Sequence, residues 1–479
     1  MGARFRFRPR VFELDGEIEP GRVLARLAGR GLPMLLDSAA GEPRRASLCA
    51  FDPVQTLTDV DLGFSKVPRE PSNGWPARLR ERLRELSFDA EAPAEQLPGP
   101  FHGGLLCALA YDLGAAGERP VVCAPEPWGQ PRLVGGIYVD FLVRDEAARR
   151  TWLVLGDEPG DGRPAVEVRR REILALLHGP PPAGGTRAGS PRRHTEPAEH
   201  RRRIEELRAS ISRGDLYQAN LAHRLTVPVE GAPEHWYGRL REANAAPYMG
   251  FARWRASDGY GAPGALLCAS PELFFEFAEG EARTRPIKGT IARSADPRQD
   301  AENARRLLSS EKDLAELAMI VDLERNDLGR SAIPGGVRVE GWPSLRSYAR
   351  VHHLMADVVA RTRPDLDAFD VLAALFPGGS ITGAPKLAAM DEIARLEGHG
   401  RGFFCGSMGF VDLRGQACFN IMIRTFLWRR REGEGAEAGE LSCSVGGGIT
   451  WSSEAEAEEQ ETLAKAAGML AALEPSGLG

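Results

Sequence analysis

Apolar side chains recur at the three- and four-residue spacing of an amphipathic helix in several parts of the chain. In residues 198–213, for example, Ile204, Leu207 and Ile211 fall on one face. This periodicity predicts helices over residues 165–178, 198–213, 297–320, 385–396 and 454–473.

Shorter apolar runs, bounded by turn-forming residues, predict strands. They cover residues 137–143, 151–155, 216–227, 265–277, 402–410 and 417–428. Because helices and strands are mixed without a regular strand–helix–strand alternation, the pattern favours an α+β fold over a doubly wound parallel sheet.

A linker-like stretch interrupts these patterns. Residues 179–195 (GPPPAGGTRAGSPRRHT) are rich in Pro, Gly, Ser and Arg and almost free of large apolar side chains. Such a segment buries too little apolar surface to offset its ordering entropy, so it is predicted to be a flexible linker. It separates an N-terminal region, 1–178, from a C-terminal region, 196–475.

Composition argues against several classes of function. The 479 residues are 43% hydrophobic and 27% charged, with a net charge of −6, whereas a nucleic-acid binder has a concentrated basic face. No apolar run approaches the about 18 residues of a membrane span, and the N-terminus lacks the apolar core of a signal peptide. The seven cysteines include no CxxC pair, which is typical of reduced cytosolic thiols. We therefore expect a cytoplasmic protein that binds neither nucleic acid nor membranes.

Two pairs of acidic residues are candidates for a metal site. Asp313 and Glu316 are three residues apart in one predicted helix, and Glu458 and Glu461 repeat the spacing in another, one turn before Lys465. This spacing puts both carboxylates of a pair on one helix face. Carboxylate oxygens suit Mg²⁺, so two facing helices could hold this ion. The alternative for each pair is a solvated, Glu-rich helix face.

Lys288 is a candidate nucleophile. It lies in RPIKGT, residues 285–290, between an extended X-Pro segment and a Gly-Thr turn that fix its backbone. A nucleophilic lysine must lose its proton, so burial or a nearby cation has to lower its pKa by roughly 2–3 units. The alternative is an exposed lysine with a structural role.

Glycine-rich turns at 376–386 (FPGGSITGAPK) and 444–450 (SVGGGIT) are candidate anion sites. Both expose backbone N–H groups, and the second precedes the predicted helix that carries Lys465. Neither matches the GxxxxGK[ST] pattern of a nucleotide P-loop.

Four single residues complete the candidate chemistry. Glu272, in SPELF, is a general acid if burial raises its pKa, and otherwise a turn residue. Arg424, in an apolar strand, requires an anionic partner. Gln218 and His353 are further polar candidates, although a histidine in such a segment is more often part of the core. The residues alone indicate an anionic ligand and leave open whether magnesium accompanies it.

Taken in order, these segments resemble one family, the chorismate-utilising enzymes. It includes anthranilate synthase component I, aminodeoxychorismate synthase component I, and the isochorismate and salicylate synthases. The matching motifs are colinear and cover nearly the whole chain except the linker and residues 430–440. They are LLDS (35–38), FHGG to YDLG (101–114), GDLYQANL (214–221), PYM (247–249), SPELF (270–274), RPIKGT, EKDLAELAMIVDLERNDLGR (311–330), VHHL (351–354), FPGGSITGAPK, CGSMGF (405–410), NIMIRT (420–425) and GGGIT to EEQETLAKA (446–467).

The resemblance implies a magnesium-dependent chorismate site in the C-terminal region. Glu316 and Glu461 would be direct metal ligands, and Asp313 and Glu458 would bind the ion through water. Lys465 and the amides of Gly446, Gly447 and Gly448 would hold the ring carboxylate. The remaining residues that the family motifs assign to the substrate site are Arg424 on the enolpyruvyl carboxylate, Glu272 as the acid for the departing 4-hydroxyl, His353 near the ring, and Thr290, Thr382, Gly383 and Gln218.

Two positions indicate the reaction within the family. Relatives that add water have a lysine where this chain has Gln218, so ammonia is the expected nucleophile. Lys288 resembles the lysine of aminodeoxychorismate synthases, in place of the alanine of PIAGT in anthranilate synthases. The expected activity is amination of chorismate through a covalent Lys288 intermediate. Anthranilate synthesis and a non-catalytic binding role are the alternatives. Phe404 stands where relatives commonly have a Tyr whose hydroxyl contacts the enolpyruvyl carboxylate. Loss of that hydrogen bond would weaken substrate binding by about 0.5–1.5 kcal/mol.

The resemblance also implies a fold and partners. We expect two antiparallel sheets packed across each other, with helices outside and the active site between them. A separate glutamine amidotransferase subunit would supply ammonia. LLDS, Leu35 to Ser38, lies where relatives bind tryptophan.

Overall fold

Two β-sheets dominate the computed structural model, which describes residues 5–41, 46–59, 74–88, 97–116, 124–157, 162–180, 182, 184–348, 351–431, 433, 435 and 437–474. Within these residues, a large sheet has 14 strands and a small sheet has 10. Ten α-helices accompany them. The predicted α+β fold with two sheets is confirmed. The pairings are antiparallel, except that Phe5–Phe7 pair in parallel with Leu86–Phe88.

The strands are β1 (Phe5–Leu14), β2 (Met34–Asp37), β3 (Ala46–Ala50), β4 (Gln55–Leu57), β5 (Leu86–Phe88), β6 (Gly104–Leu109), β7 (Leu133–Tyr138), β8 (Phe141–Asp145), β9 (Arg150–Asp157), β10 (Arg187–Ala188), β11 (Arg192–Arg193), β12 (Gln218–Glu230), β13 (Tyr248–Trp254), β14 (Gly264–Ser270), β15 (Leu273–Ala278), β16 (Glu281–Arg285), β17 (Ile287–Ala292), β18 (Ala332–Ser347), β19 (Val351–Thr362), β20 (Gly383–Ala384), β21 (Ser407–Asp412), β22 (Ala417–Ile421), β23 (Thr425–Arg430) and β24 (Ala438–Ile449). The large sheet has the order β10-β12-β24-β23-β14-β13-β2-β3-β8-β9-β1-β5, with β11 and β20 also on β12. The small sheet has the order β17-β19-β16-β15-β22-β21-β6-β7-β4, with β18 also on β19.

The helices are α1 (Pro20–Leu27), α2 (Trp75–Arg84), α3 (Val166–His178), α4 (Pro197–Ser212), α5 (Pro233–Ala243), α6 (Pro297–Leu308), α7 (Glu311–Gly329), α8 (Ala368–Leu375), α9 (Lys386–Glu397) and α10 (Ala455–Leu470). Short 3₁₀ turns occur at Tyr111–Ala116, Ala256–Asp258, Gly379–Ile381 and Ala471–Leu473. Among the described residues, no helix has both the length and the apolar character needed to cross a bilayer.

Three hydrophobic cores separate the layers. Leu106 and Met408 of the small sheet meet Leu266 of the large sheet in a core between the sheets. The opposite face of the small sheet packs on α7 and α8, and that of the large sheet packs on α1, α3 and α5. Because side chains alternate along a strand, Leu105 and Leu106 of β6 fall into different cores. The order of layers is therefore helices, large sheet, small sheet, helices.

Three predicted strands are interrupted, because the chain passes from one sheet to the other within them. The predicted strand 265–277 is β14 in the large sheet and β15 in the small sheet, separated by Pro271 and Glu272. The predicted strand 417–428 divides in the same way into β22 and β23. The run 137–143 spans the change from β7 to β8. The residues before and after each crossing are buried, so the sequence stays apolar at the position where one strand ends and the next begins.

The predicted helix 297–320 is two helices, α6 and α7. The helical stretch is interrupted at Ser310. Its hydroxyl accepts a hydrogen bond from the Asp313 amide (3.3 Å) and so caps the N-terminus of α7. This cap places Asp313 and Glu316 in the first turns of α7.

The predicted linker, residues 179–195, contributes two short strands. β10 pairs with Glu230 and Val229 of β12, and β11 pairs with Thr226 and Leu225. Backbone hydrogen bonds thus attach parts of this segment to the large sheet, although it has few apolar side chains. Both sheets combine strands from the two predicted regions, so the linker does not separate two cores.

A buried ion pair fixes the crossing between β7 and β8. Asp140 and Arg169 are 1% and 5% exposed and form a salt bridge. Asp140 also accepts a hydrogen bond from the Gly156 amide (2.9 Å), and Arg169 donates to the Gly156 carbonyl (2.6 Å). The pair therefore joins α3 to both β8 and β9.

We expect Arg169→Leu to lower the free energy of unfolding by about 3 kcal/mol, because it leaves the Asp140 carboxylate buried with weaker partners. Urea-induced unfolding followed by circular dichroism measures this loss. Arg171→Leu, an exposed position on the same helix, is the control and should change stability by less than about 0.5 kcal/mol. Equal losses in the two variants would contradict the role of the ion pair.

Candidate active site

A cavity of about 2050 Å³ opens beside the paired strands β12 and β24 and is bordered by β17, α7 and α10. It brings together residues that are far apart in sequence, from Ala40 and Gly41 in the N-terminal region to Ala471 in the C-terminal region. The sequence-predicted residues in its wall are Glu272, Lys288, Thr290, Asp313, Glu316, His353, Arg424, Gly446, Gly448, Glu458, Glu461 and Lys465. The structure therefore brings most of the residues predicted from the sequence into the wall of one cavity.

Four predicted residues lie behind this wall. The Thr382 hydroxyl donates to the Gly378 carbonyl, and Gly383 pairs with Ala219. Gln218 is fully buried and packs against Gly448, where an added Cβ would come 2.3 Å from the Gln218 amide nitrogen. At Gly447 an added Cβ would lie 3.2 Å from a Glu458 carboxylate oxygen, so this backbone faces α10.

Glu272 and Arg424 occupy two adjacent crossings between the sheets. The Ile421 amide donates to the Glu272 carbonyl (3.1 Å), and the Ala269 amide donates to the Arg424 carbonyl (3.0 Å). The Ser270 hydroxyl adds a 2.6 Å bond to the Ile421 carbonyl. Arg424 has a φ of 51°, in the left-handed region, which turns its side chain out of the strand direction. Two interrupted strands thus present an acid and a guanidinium to one cavity.

The Glu272 carboxyl group lies in an environment that favours its protonated form. Its side chain is almost fully buried, and among the described residues Oε1 has no hydrogen-bond partner. Burial raises the pKa of Glu272, against the opposing effects of Ser380 and Lys288. A carboxyl group that keeps its proton at neutral pH can act as a general acid.

The Lys288 amine lies in the wall of the cavity and donates to the Ser380 carbonyl (3.3 Å). Burial lowers the pKa of Lys288, and the Lys465 cation acts in the same direction. The carboxyl groups of Glu272, Glu316 and Glu461 oppose this effect. The net shift favours the neutral amine, which is the form that can act as a nucleophile.

His353 is held in its neutral form. Its Nδ1 lies 2.8 Å from the Thr290 hydroxyl, and Tyr348 packs edge-on against the ring. Burial and the neighbouring Arg424 lower the pKa of His353 to about 4. The imidazole is therefore uncharged at neutral pH and faces the cavity beside Arg424.

Arg424 has no acidic partner among the described residues. Burial lowers the pKa of its guanidinium, since no carboxylate compensates for the lost hydration. A buried, unpaired cation is unfavourable unless a ligand supplies the negative charge. This position is consequently suited to a carboxylate ligand.

The four acidic residues line the cavity from two helices. Burial raises the pKa of Glu316, and its neighbours Asp313 and Glu458 add to this effect. Glu458 is buried and accepts a hydrogen bond from the Ser453 hydroxyl (2.7 Å), whereas Glu461 pairs with Lys465 (2.8 Å). Among the described residues, no three His, Cys, Asp or Glu side chains are close enough to hold a metal ion. The oxygen donors suit a hard cation, but direct ligation by Glu461 requires its ion pair with Lys465 to open.

Three residues of the site were not predicted from the sequence. Ser380 provides the carbonyl that holds Lys288, Lys312 approaches Glu316 (3.9 Å), and Arg401 lies over the ring of Phe404 (5.6 Å). Ser380 belongs to the glycine-rich motif 376–386, and this motif was the sequence feature that could have identified it as a site residue. Phe404 itself lines the cavity, as expected for the position of the missing tyrosine.

Most of the segment Leu35–Ser38 belongs to β2 of the large sheet, a few residues before Ala40 and Gly41 of the cavity wall. Asp37 forms a salt bridge with Arg241 (2.6 Å) and accepts a hydrogen bond from Tyr237 (3.0 Å). A cavity of about 240 Å³ nearby is lined mainly by charged side chains, including Arg144, Glu146 and Arg241. Tryptophan binding at this segment stays a prediction.

A second buried carboxyl group, Glu324 on α7, lies behind the site. It is 7% exposed and is hydrogen-bonded to the Thr284 hydroxyl of β16. Burial, together with the nearby Glu272 and Asp327, raises the pKa of Glu324 to about 8, against the opposing effects of Thr284 and Lys386. This group was not predicted from the sequence, because an acidic residue in a helix is usually exposed.

Comparison with known proteins identifies similar chains. The sequence profile described as chorismate binding enzyme matches residues 44–471. Aminodeoxychorismate synthase component 1 of Klebsiella aerogenes is 39% identical over 375 residues, which cover 78% of each chain. Anthranilate synthase component 1 of Streptomyces coelicolor is 36% identical over 428 residues, which cover 86% of this chain and 80% of the relative. The crystal structure of anthranilate synthase component I from Streptococcus pneumoniae superimposes with a TM-score of 0.72 and 26% identity, over 90% of this chain and 93% of that chain.

Glu324→Gln should stabilise the protein increasingly as the pH rises from 5 to 8. The pKa of Glu324 is about 8 in the folded protein and about 4.3 in an unfolded chain. Between these values the unfolded state releases a proton that the folded state retains. Stability therefore falls with pH, by at most about 1.4 kcal/mol per unit. Glutamine has no proton to release and removes this loss.

Melting temperatures of both proteins at pH 5, 6, 7 and 8 measure the effect, with the difference expected to grow with pH. Asp322→Asn, at a 79% exposed position on the same helix, is the control and should show no such trend. A difference that is constant with pH would contradict the protonated state of Glu324.

Proposed function

The chain belongs to the chorismate-binding enzyme family, and from this premise we propose that it replaces the 4-hydroxyl group of chorismate with an amino group, as aminodeoxychorismate synthases do. The observation that supports this reaction best is the position of Lys288. Its amine lies in the same cavity wall as Glu272 and the four acidic residues, in surroundings that favour the neutral form. Relatives named for this activity are similar over most of their length.

The substrate is a dicarboxylate, and the cavity offers two cationic positions for it. Arg424, which lacks an acidic partner among the described residues, binds the enolpyruvyl carboxylate. Lys465, which donates to the Gly446 carbonyl (3.0 Å) and pairs with Glu461, binds the ring carboxylate together with the backbone of Gly446–Gly448. This orientation directs the ring towards Lys288 and Glu272.

In the first step the neutral Lys288 amine attacks C2 of the ring. The new N–C2 bond shifts both conjugated double bonds of the ring and expels the 4-hydroxyl group, which leaves as water with the proton of Glu272. The proton that the amine nitrogen gives up passes to the Glu272 carboxylate, so the acid is restored. Glu272 is matched to this role because burial raises its pKa, which favours the protonated form that a general acid requires.

In the second step ammonia attacks C4 and the Lys288 nitrogen leaves C2, which returns both ring double bonds to their original places. The proton lost by ammonia is balanced by the proton regained by the lysine. The sum is chorismate plus ammonia giving 4-amino-4-deoxychorismate plus water. A covalent intermediate divides one difficult substitution into two easier ones.

Magnesium belongs to the proposal as the ion that neutralises the ring carboxylate. Glu316 and Glu461 would be its direct ligands, and Asp313 and Glu458 would hold bound water. These residues line the cavity from α7 and α10.

Ammonia comes from a second subunit in this proposal. Relatives carry the name component 1, which implies a further component. We propose that this component is a glutamine amidotransferase and that ammonium salts replace it in vitro.

Incubation with chorismate, magnesium and ammonium should yield a non-aromatic amino product that retains its enolpyruvyl group. Liquid chromatography with mass spectrometry identifies it, and a metal chelator should suppress its formation. Fluorescent anthranilate with release of pyruvate would instead assign the chain to the activity of its anthranilate synthase relatives. Unchanged product formation with the chelator would refute the role of magnesium.

Lys288→Ala should abolish any chorismate-derived adduct detected by intact-protein mass spectrometry. It should also lower the ammonium-dependent kcat by more than about 100-fold, because the nucleophile is lost. Lys312→Ala removes another lysine of the same cavity wall, one that is largely exposed. This control should still form the adduct. Full activity of Lys288→Ala would rule out the covalent route.

A further inference from the structure

One residue of the cavity wall, Ser380, interacts with both the nucleophile and the acid. Its backbone carbonyl accepts a hydrogen bond from the Lys288 amine (3.3 Å). Its hydroxyl lies close enough to the Glu272 carboxyl group to stabilise the ionised form of that group. Among the described residues, Ser380 is the hydrogen-bond partner of the amine, and Glu272 is not. A proton that moves from Lys288 to Glu272 therefore needs a group between them.

The Ser380 hydroxyl is not engaged elsewhere. Ser380 is 3% exposed, and within the part of the chain that the structure describes its Oγ has no partner in hydrogen-bond geometry. Oε1 of Glu272 lacks a partner in the same way. A buried polar atom without a partner is unfavourable, so two such atoms on neighbouring side chains call for a functional explanation. Because a hydroxyl both donates and accepts, a small movement of the Glu272 side chain is enough to join them.

The backbone around Ser380 is held by bonds that do not involve its side chain. The Arg401 guanidinium donates to the Ile381 carbonyl (3.2 Å). The Asn220 side-chain amide donates to the Ser380 carbonyl (3.0 Å), the same oxygen that accepts from Lys288. A carbonyl oxygen has two lone pairs and can accept both bonds. The orientation of the amine is consequently independent of the hydroxyl.

We propose that the Ser380 hydroxyl is a catalytic proton relay between Lys288 and Glu272. This inference rests on the proposed function. In the first step the Lys288 nitrogen, once bonded to C2, transfers a proton to Ser380 Oγ, and Oγ passes its own proton to the Glu272 carboxylate. The N–H and O–H bonds that break are replaced by an O–H bond on the serine and one on the acid. Both groups are restored for the next step.

The relay runs in the opposite direction in the second step. Protonated Glu272 donates to Ser380 Oγ, and the proton of Oγ passes to the Lys288 nitrogen as it leaves C2. The proton that ammonia loses returns to the Glu272 carboxylate. Each proton that leaves one group arrives at another, so the relay needs no further reactant.

The first experiment removes the hydroxyl and leaves the carbonyl in place. Ser380→Ala should lower the kcat of ammonium-dependent amination by at least about 10-fold, as expected for loss of a proton-transfer group, with the chorismate KM within about 2-fold. Ser380→Thr retains a hydroxyl and should stay within about 3-fold of the unaltered protein. Ser347→Ala removes another serine hydroxyl of the cavity wall, one that contacts His352 (2.7 Å), and is the control that should leave the rate unchanged. Melting temperatures check that each variant is folded.

The second experiment measures the pH dependence of adduct formation without ammonium, so that the titration of ammonia does not contribute. Formation requires protonated Glu272, so its rate falls at high pH when the carboxyl group ionises. The hydroxyl stabilises the carboxylate, and its removal should raise the pKa of Glu272 and move this fall to higher pH. The other titratable groups that interact with Glu272 are Lys288, Glu324 and Cys405, which are present in both proteins.

Several outcomes would overturn the proposal. An unchanged amination rate in Ser380→Ala would exclude the relay while leaving the proposed function intact. Equal losses in Ser380→Ala and Ser380→Thr would assign the effect to packing of the turn. A slower Ser380→Ala whose pH dependence matches that of the unaltered protein would give Ser380 a structural role only. An unaltered protein that forms no amino product would refute the proposed function and the relay together.

Discussion

The site depends on two chain segments that cross from one sheet to the other side by side. Where a strand ends in a buried place, its backbone groups must find other partners. Here the segments 269–272 and 421–424 satisfy one another through backbone and hydroxyl hydrogen bonds. The crossing therefore needs both segments, and it fixes Glu272 relative to Arg424 without relying on a flexible loop. Glu272 and Arg424 are therefore held in place by both sheets.

Burial acts on Glu272 and Lys288 in opposite chemical directions. It raises the pKa of the acid and lowers the pKa of the amine, so both neutral forms are favoured although the two groups attract each other as ions. A neutral acid next to a neutral amine is the combination needed to protonate a leaving group while a nitrogen attacks. The surrounding carboxyl groups of Glu316 and Glu461 limit the shift of the lysine. The protonation of both groups thus depends on a balance between dehydration and charge.

The sequence was sufficient for the motifs and for most helices, and insufficient where tertiary structure overrides local pattern. Predicted helices at 165–178 and 198–213 match α3 and α4 within one residue at each end, because their apolar spacing reflects packing on a sheet. Apolar runs at 265–277 and 417–428 were predicted as single strands, because burial continues through each crossing. The predicted helix 297–320 is divided into α6 and α7 because Ser310 caps the second helix. Glu324 was missed because its burial comes from β16, a partner that is distant in sequence.

The large sheet places early and late parts of the chain next to one another. β14 lies between β13 and β23, and β12 pairs along its length with β24, more than 200 residues later. During synthesis, β12 and β14 therefore have open edges until nearly the entire polypeptide has left the ribosome. Such unpaired apolar edges are prone to aggregate. Chaperone protection of the nascent chain, more than the stability of the finished enzyme, is expected to limit how much active protein a cell accumulates.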